Sequence, residues 1–259
     1  MFTTFSCDGV ESNCESTVYV NDAEADRLGL LHNDFMINLD QFEARTLSDS
    51  KGMSSRIGTV ADFHFKFVNQ YDDARLDKNE MKSYITETSH YMDHAYLYEQ
   101  MFVSNNFSDL NINLREAYRI LLDKGLINQS ELALIDELHD MVKANGDGDV
   151  STDEFKEFIY AKREEWRKLG FDPCSNEGYV SAAILGIGQH SVDYWTNYNF
   201  DGTKAVPAWL AADVGGALVG AVVGAVNGAS GRSLGTGIVA GAIVGSTGLA
   251  GRVGRFLFG

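Results

Sequence analysis

Two runs of sequence decide how this chain is read: Gly216-Ala217-Leu218-Val219-Gly220-Ala221-Val222-Val223-Gly224-Ala225-Val226-Asn227-Gly228, and Gly237-Ile238-Val239-Ala240-Gly241-Ala242-Ile243-Val244-Gly245. In both, glycine recurs at every fourth residue with Ala, Leu, Val or Ile between. On a helix that spacing keeps the glycines on one side, opening a groove into which another backbone can settle. In water each interior glycine costs about 1 kcal/mol relative to alanine, so a bilayer or a tight partner must offset the loss. The link Asn227-Gly228-Ala229-Ser230-Gly231-Arg232-Ser233 reads as a turn, and Pro207 stands where a helix starts. The spacing therefore predicts a helical hairpin over 206–259. It sits in or on a membrane, or self-associates into a homo-oligomer, through Gly216, Gly220, Gly224, Gly228, Gly237, Gly241 and Gly245.

A full membrane span needs about 20 apolar residues. Trp209 to Val226 nearly reaches that length but contains Asp213, and Leu234 to Ala250 is shorter and carries Thr236, Ser246 and Thr247. Trp209 at one end and Arg252, Arg255 and Phe256 at the other suit the two interfaces. The competing readings are a soluble hairpin packed against the body and a glycine-rich disordered tail. The tail resembles the two-helix glycine-zipper domain of outer-membrane lipoproteins of the surface-antigen type. There, too, a Gly-x-x-x-Gly run leads through a Gly-Arg turn, here Gly231-Arg232, to an Ala/Gly run, here Ala240 to Gly245. The resemblance covers the tail alone and implies membrane association in a cell envelope. Membrane-active bacteriocins share the composition, so a membrane-permeabilising, pore-forming protein is the alternative.

Outward from the tail, the 259 residues contain 44% hydrophobic residues and only two prolines, Pro173 and Pro207. Few breakers favour a helical protein. Apolar stripes at helical spacing appear at Leu114, Tyr118, Leu121 and Leu122, and again at Leu132, Ile135, Leu138 and Val142. The expected fold is mainly α, with four segments. Residues 1–25 are polar with a β-like patch at Thr17 to Val20; 26–172 form a helical body; 173–205 form a connector with one apolar helix; 206–259 form the hairpin. The formal net charge is −16, but residues after Gly202 carry four cations against one carboxylate, a net of +3, which leaves −19 on residues 1–202. An acidic body repels phosphates, which excludes nucleic-acid binding. Cys7, Cys14 and Cys174 are too few and too odd in number for a disulfide framework. The start has no basic region and no apolar run, so no signal peptide is read there.

Residues Lys143 to Glu154 resemble the twelve-residue loop of an EF-hand. Asn145, Asp147 and Ser151 fall at positions 3, 5 and 9, Glu154 at 12, Gly148 at the sharp turn and Val150 at the position of the β-bridge. The candidate calcium ligands are Asn145, Asp147, Asp149, Ser151 and Glu154. Position 1 departs from the pattern: Lys143 repels Ca²⁺ where an aspartate ligates it, so weak binding competes with a loop that merely keeps the shape. The frames His32–Glu43, Asn69–Glu80 and Asn105–Glu116 repeat an aliphatic residue at position 8 and Glu at 12, in a register similar to that of calmodulin-like and sarcoplasmic calcium-binding proteins. Ordinary bundle helices are the other reading.

Glu87, His90, Asp93 and His94 share one predicted helix and could hold Zn²⁺, which makes a helical metalloenzyme the second alternative. Gly186-Ile187-Gly188-Gln189-His190-Ser191, with Asp193 nearby, brings Ser, His and Asp together without a nucleophile elbow and reads as a closely packed helix. No Walker loop or dinucleotide fingerprint appears. The expectation is a non-enzyme with no catalytic residues: a membrane-associated protein with an EF-hand-like body.

Overall fold

The computed structural model describes residues 22–48, 60–94, 114–169, 171, 177–197 and 206–248, and every regular element among them is an α-helix. In chain order they are α1 (Asp22–Ser48), α2 (Val60–Gln70), α3 (Lys78–His94), α4 (Leu114–Asp123), α5 (Gln129–Asp147), α6 (Thr152–Trp166), α7 (Tyr179–Asn197), α8 (Val206–Val226) and α9 (Gly231–Gly248). The fold is mainly α, as the sequence predicts. The three cysteines, the patch at 17–20, and Arg252, Arg255 and Phe256 lie outside the described residues.

Local chemistry sets the helix ends. Asn128 accepts from the backbone N–H groups of Ser130 and Glu131, and the Glu131 carboxylate reaches back to the Asn128 N–H, closing a capping box at the start of α5. Ser151 and Glu154 do the same for α6. Between them α5 stops on Gly148, which takes a φ of 84° and donates to the carbonyls of Ala144 and Asn145. The amphipathic helices then bury one stripe each. In α4 this stripe is Leu114, Ala117, Tyr118 and Leu121, while Arg115, Glu116 and Arg119 face water.

The hairpin α8–α9 occupies the centre. It joins the body in one continuous apolar core rather than standing apart from it. α8 packs on α9 and also on α7, α5, α4, α3 and α6; α9 packs on α8, α3, α7, α1 and α2. From Trp209 to Ala225 every residue of α8 is buried, the behaviour of a helix apolar on all sides. The acidic, amphipathic helices form a sheath around it.

The two hairpin helices touch backbone to backbone. A Cβ added to Gly216 would lie 2.2 Å from the Gly241 carbonyl oxygen, one on Gly220 would lie 2.3 Å from that of Gly237, and one on Gly245 2.1 Å from that of Ala212. Gly224 differs: its nearest neighbour is the Leu234 Cδ1 methyl, at 2.9 Å. Gly228 belongs to the turn, where its φ is 80° and nothing lies within 4 Å. A second close seam joins α1 to α7, where a Cβ on Gly186 would lie 2.1 Å from the Ala25 carbonyl oxygen.

These distances separate positions that the four-residue spacing treats alike. Gly216→Ala and Gly220→Ala push a methyl against backbone and are expected to lower stability by about 3 kcal/mol, despite alanine's better helix propensity. Gly224→Ala meets only the end of a flexible side chain and is expected to stay within about 1 kcal/mol of the parent. Urea denaturation of the three variants measures both.

Candidate functional site

Asp213 is the single ionisable residue of α8, and it is fully buried. Trp195 Nε1 donates to its Oδ2 at 2.6 Å, and Nε2 of the equally buried His32 lies 3.9 Å from Oδ1. The Ser191 hydroxyl faces the same carboxyl. Trp209, one turn earlier on α8, packs on Trp195 with ring centroids 4.8 Å apart. The partners of Asp213 thus come from the sheath: His32 from α1, Trp195 and Ser191 from α7. Oδ1 has no hydrogen-bond partner among the described residues.

The other polar side chains of the hairpin are satisfied differently. Thr236 donates to the Arg232 carbonyl at 3.2 Å, Ser246 to Ala242 at 3.1 Å and Thr247 to Ile243 at 2.7 Å. Each hydroxyl bonds back to its own helix one turn earlier. The sheath adds His64, whose Nε2 lies 3.0 Å from the Thr247 hydroxyl, and Tyr84, whose hydroxyl lies 3.0 Å from that of Ser233. Ser233 also donates to Glu80.

A polar latch closes the sheath beside the α1–α7 seam. Arg163 of α6 is only 2% exposed. Its Nη2 pairs with Asp26 Oδ1 of α1 at 2.7 Å and its Nη1 donates to Gln189 Oε1 of α7 at 2.5 Å. His190 Nε2 lies 3.1 Å from the same Asp26 oxygen. Burial pushes the Asp26 carboxyl up, but the Arg163 and His190 bonds outweigh it and hold the group below the usual carboxylate range. The Ser–His–Asp stretch of α7 is therefore not a triad. His190 serves the latch, Asp193 accepts from Tyr160 at 3.2 Å and Ser191 is buried.

In the loop resembling an EF-hand, α5 continues through residue 147, so positions 1 to 5 of the motif are helix. Asn145 is buried and donates to the Val150 carbonyl at 3.1 Å. The Glu154 carboxylate accepts from the Ser151 N–H at 2.9 Å and hydroxyl at 2.7 Å, bonds that hold it below its usual range. Asp149 is exposed, and the Asp147 side chain lies outside the described residues. Residues 32–43 run uninterrupted inside α1. The frame 69–80 spans the α2–α3 link, where Asp77 caps the N–H groups of Asn79 and Glu80, and 105–113 lie outside the described residues. On α3, Glu87 is half-buried, while the side chains of His90, Asp93 and His94 lie outside the described residues. Among the described residues no group of three or more His, Cys, Asp or Glu gathers as a metal site.

Set against known proteins, the chain matches no family model, no curated protein and no solved structure.

Two outcomes follow from this geometry. Asp26→Asn leaves the buried Arg163 with a weakened partner and is expected to cost about 2 kcal/mol at neutral pH, less than for a fully buried pair because Asp26 is 44% exposed. A carboxyl held low in the folded state stabilises above its unfolded pKa and loses that contribution as pH falls through the folded one. The gap between parent and variant should therefore shrink in acid, read as melting temperatures at neutral pH and near pH 3. At the loop, Ser151→Ala removes a cap and is expected to cost about 1 kcal/mol. Because Ser151 and Glu154 already serve the cap of α6 and Lys143 stands at the first ligand position, calcium at about 1 mM is expected to leave the melting temperature of the parent chain unchanged.

Proposed function

We propose that this is a non-enzymatic, membrane-active protein that carries an apolar helical hairpin inside an acidic helical sheath and surrenders it to a bilayer, the permeabilising alternative raised by the tail's composition. The observation that carries this reading is the placement of α8. Over Trp209–Val226 it is long and apolar enough to cross a membrane, yet it lies almost wholly buried at the centre of the fold. Among the described residues the exposed large hydrophobic side chains are Leu30, Ile37 and Leu169. Among the described residues the fold therefore offers a bilayer no broad apolar face. A static anchor needs such a face; a releasable hairpin does not.

Two further features favour release. The glycine seam makes α8 and α9 a unit that packs on itself and can leave its sheath intact. The hydroxyls of Thr236, Ser246 and Thr247 on α9 bond within their own helix, as backbone and side chains must where water is absent. Under this reading α5, its turn and α6 act as sheath, with calcium at most a weak modulator, and the protein works at a cell-envelope membrane. The competing reading, a soluble helical protein whose core is this hairpin, has the same static geometry and a different response to lipid.

Dye-loaded phosphatidylcholine–phosphatidylglycerol vesicles distinguish them. The full chain is expected to release dye and to leave a protease-protected fragment from within 206–248. Asp26→Asn, with its latch weakened, should act about tenfold faster, since a loss of one to two kcal/mol raises the open population by that order. A chain that neither releases dye nor gains protection, with or without the latch, is a soluble protein with an apolar core.

A further inference from the structure

We infer that Asp213 is the residue that makes the released hairpin a cation-selective aqueous path rather than a sealed anchor. The inference rests on the release reading above and concerns what the hairpin becomes afterwards.

Asp213 is the eighth residue of the 21-residue helix α8. At 1.5 Å per residue it stands about 10 Å from one end and about 20 Å from the other, well inside a hydrocarbon layer of about 30 Å. An aspartate is too short to reach either interface in the way that Lys or Arg does. In the sheathed form its position is tolerated because α1 and α7 supply His32, Trp195 and Ser191. Release removes all three together. Among the described residues the hairpin places no substitute beside it: Thr236, Ser246 and Thr247 bond to their own helix, Ser233 bonds to Glu80 and Tyr84, and Oδ1 lacks a hydrogen-bond partner among these residues even in the sheath.

Position around the helix matters as well. Ala212 and Gly216 face α9, whereas the Asp213 carboxyl meets His32 of α1 and Trp195 and Ser191 of α7. The carboxyl therefore lies outside the seam that the hairpin uses on itself. It must face lipid, water or a neighbouring hairpin. Lipid is the costly choice for an ionisable group, and intramembrane carboxylates turn to water-filled paths. Ala217 and Ala221, about 40° and 80° around the helix from residue 213, lie on the same flank of α8, so neighbouring hairpins can approach closely around it. Several copies then place a ring of carboxylates at one depth, and such a ring favours cations over anions. In contact with water these carboxyls ionise at neutral pH.

The test is the reversal potential of the full chain in planar phosphatidylcholine–phosphatidylglycerol bilayers under a potassium chloride gradient. The parent and Asp213→Glu are expected to give potentials of cation-selective sign. Asp213→Asn, whose amide keeps an acceptor for Trp195, is expected to conduct with that selectivity lost. Lowering the pH below the ordinary carboxylate range should remove selectivity from the parent reversibly, a readout that does not depend on any variant folding. Parent-like cation preference in Asp213→Asn, or parent currents with no cation preference, overturns the assignment and leaves release standing. Absence of current from the parent, together with intact vesicles, overturns release itself.

Discussion

The fold depends on a contact that only glycine permits. Where Gly216 meets Gly241, and Gly220 meets Gly237, a methyl group would sit within about the length of a strong hydrogen bond from a carbonyl oxygen. The hairpin helices approach until backbone rests on backbone, and dispersion over that narrow seam replaces the interdigitated side chains of an ordinary bundle. The valines, leucines and isoleucines of both helices are thereby turned outward. They need covering on every remaining side, and the amphipathic helices provide it. An acidic body wrapped around a largely apolar centre follows from the same arrangement.

Covering such a hairpin leaves few ways to satisfy polar groups, and two of them contrast. Thr236, Ser246 and Thr247 on α9 return to their own backbone, a solution that travels with the helix. Asp213 borrows from α1 and α7, a solution available only while the sheath is closed. Arg163 then joins three sheath helices at Asp26 and Gln189, beside the tight Gly186–Ala25 approach. Closing the sheath and satisfying Asp213 are accordingly one event, because α1 and α7 take part in both.

The turn between α5 and α6 illustrates how one set of residues serves two chemistries. The oxygens that would ligate a cation are those that accept from free N–H groups at a helix start. Glu154 has made that choice by closing a box with Ser151, while the Asn145 amide N–H donates to the Val150 carbonyl and its oxygen has no hydrogen-bond partner among the described residues. Lys143 in place of an acidic first ligand agrees with this use. The likeness to a calcium-binding loop is thus equally a likeness to a well-capped helical turn.

Much of the architecture was legible from residue spacing: the helical class, the hairpin with a turn read over Asn227 to Ser233 of which Gly231 to Ser233 proved helical, the stripes of α4 and α5, and the close packing of Gly186. Each is local, set by periodicity, capping or backbone freedom within a few residues. What spacing left open was decided by tertiary structure. The four-residue register ran on through Gly224 and Gly228, but the seam ends before them, because the chain needs Gly228 for its turn and Leu234 fills the space by Gly224. His32 appeared as a loop position and proved to be a partner of Asp213, and no local pattern links α1 with α8. Arg163, Asp26 and Gln189 gave no signal, since each is an ordinary polar residue on its own helix. Sequence by itself determined that two apolar glycine-lined helices form and must be shielded from water. Only the tertiary structure decided that the shield is the rest of this same chain, because burial is a property of neighbours brought together across the fold.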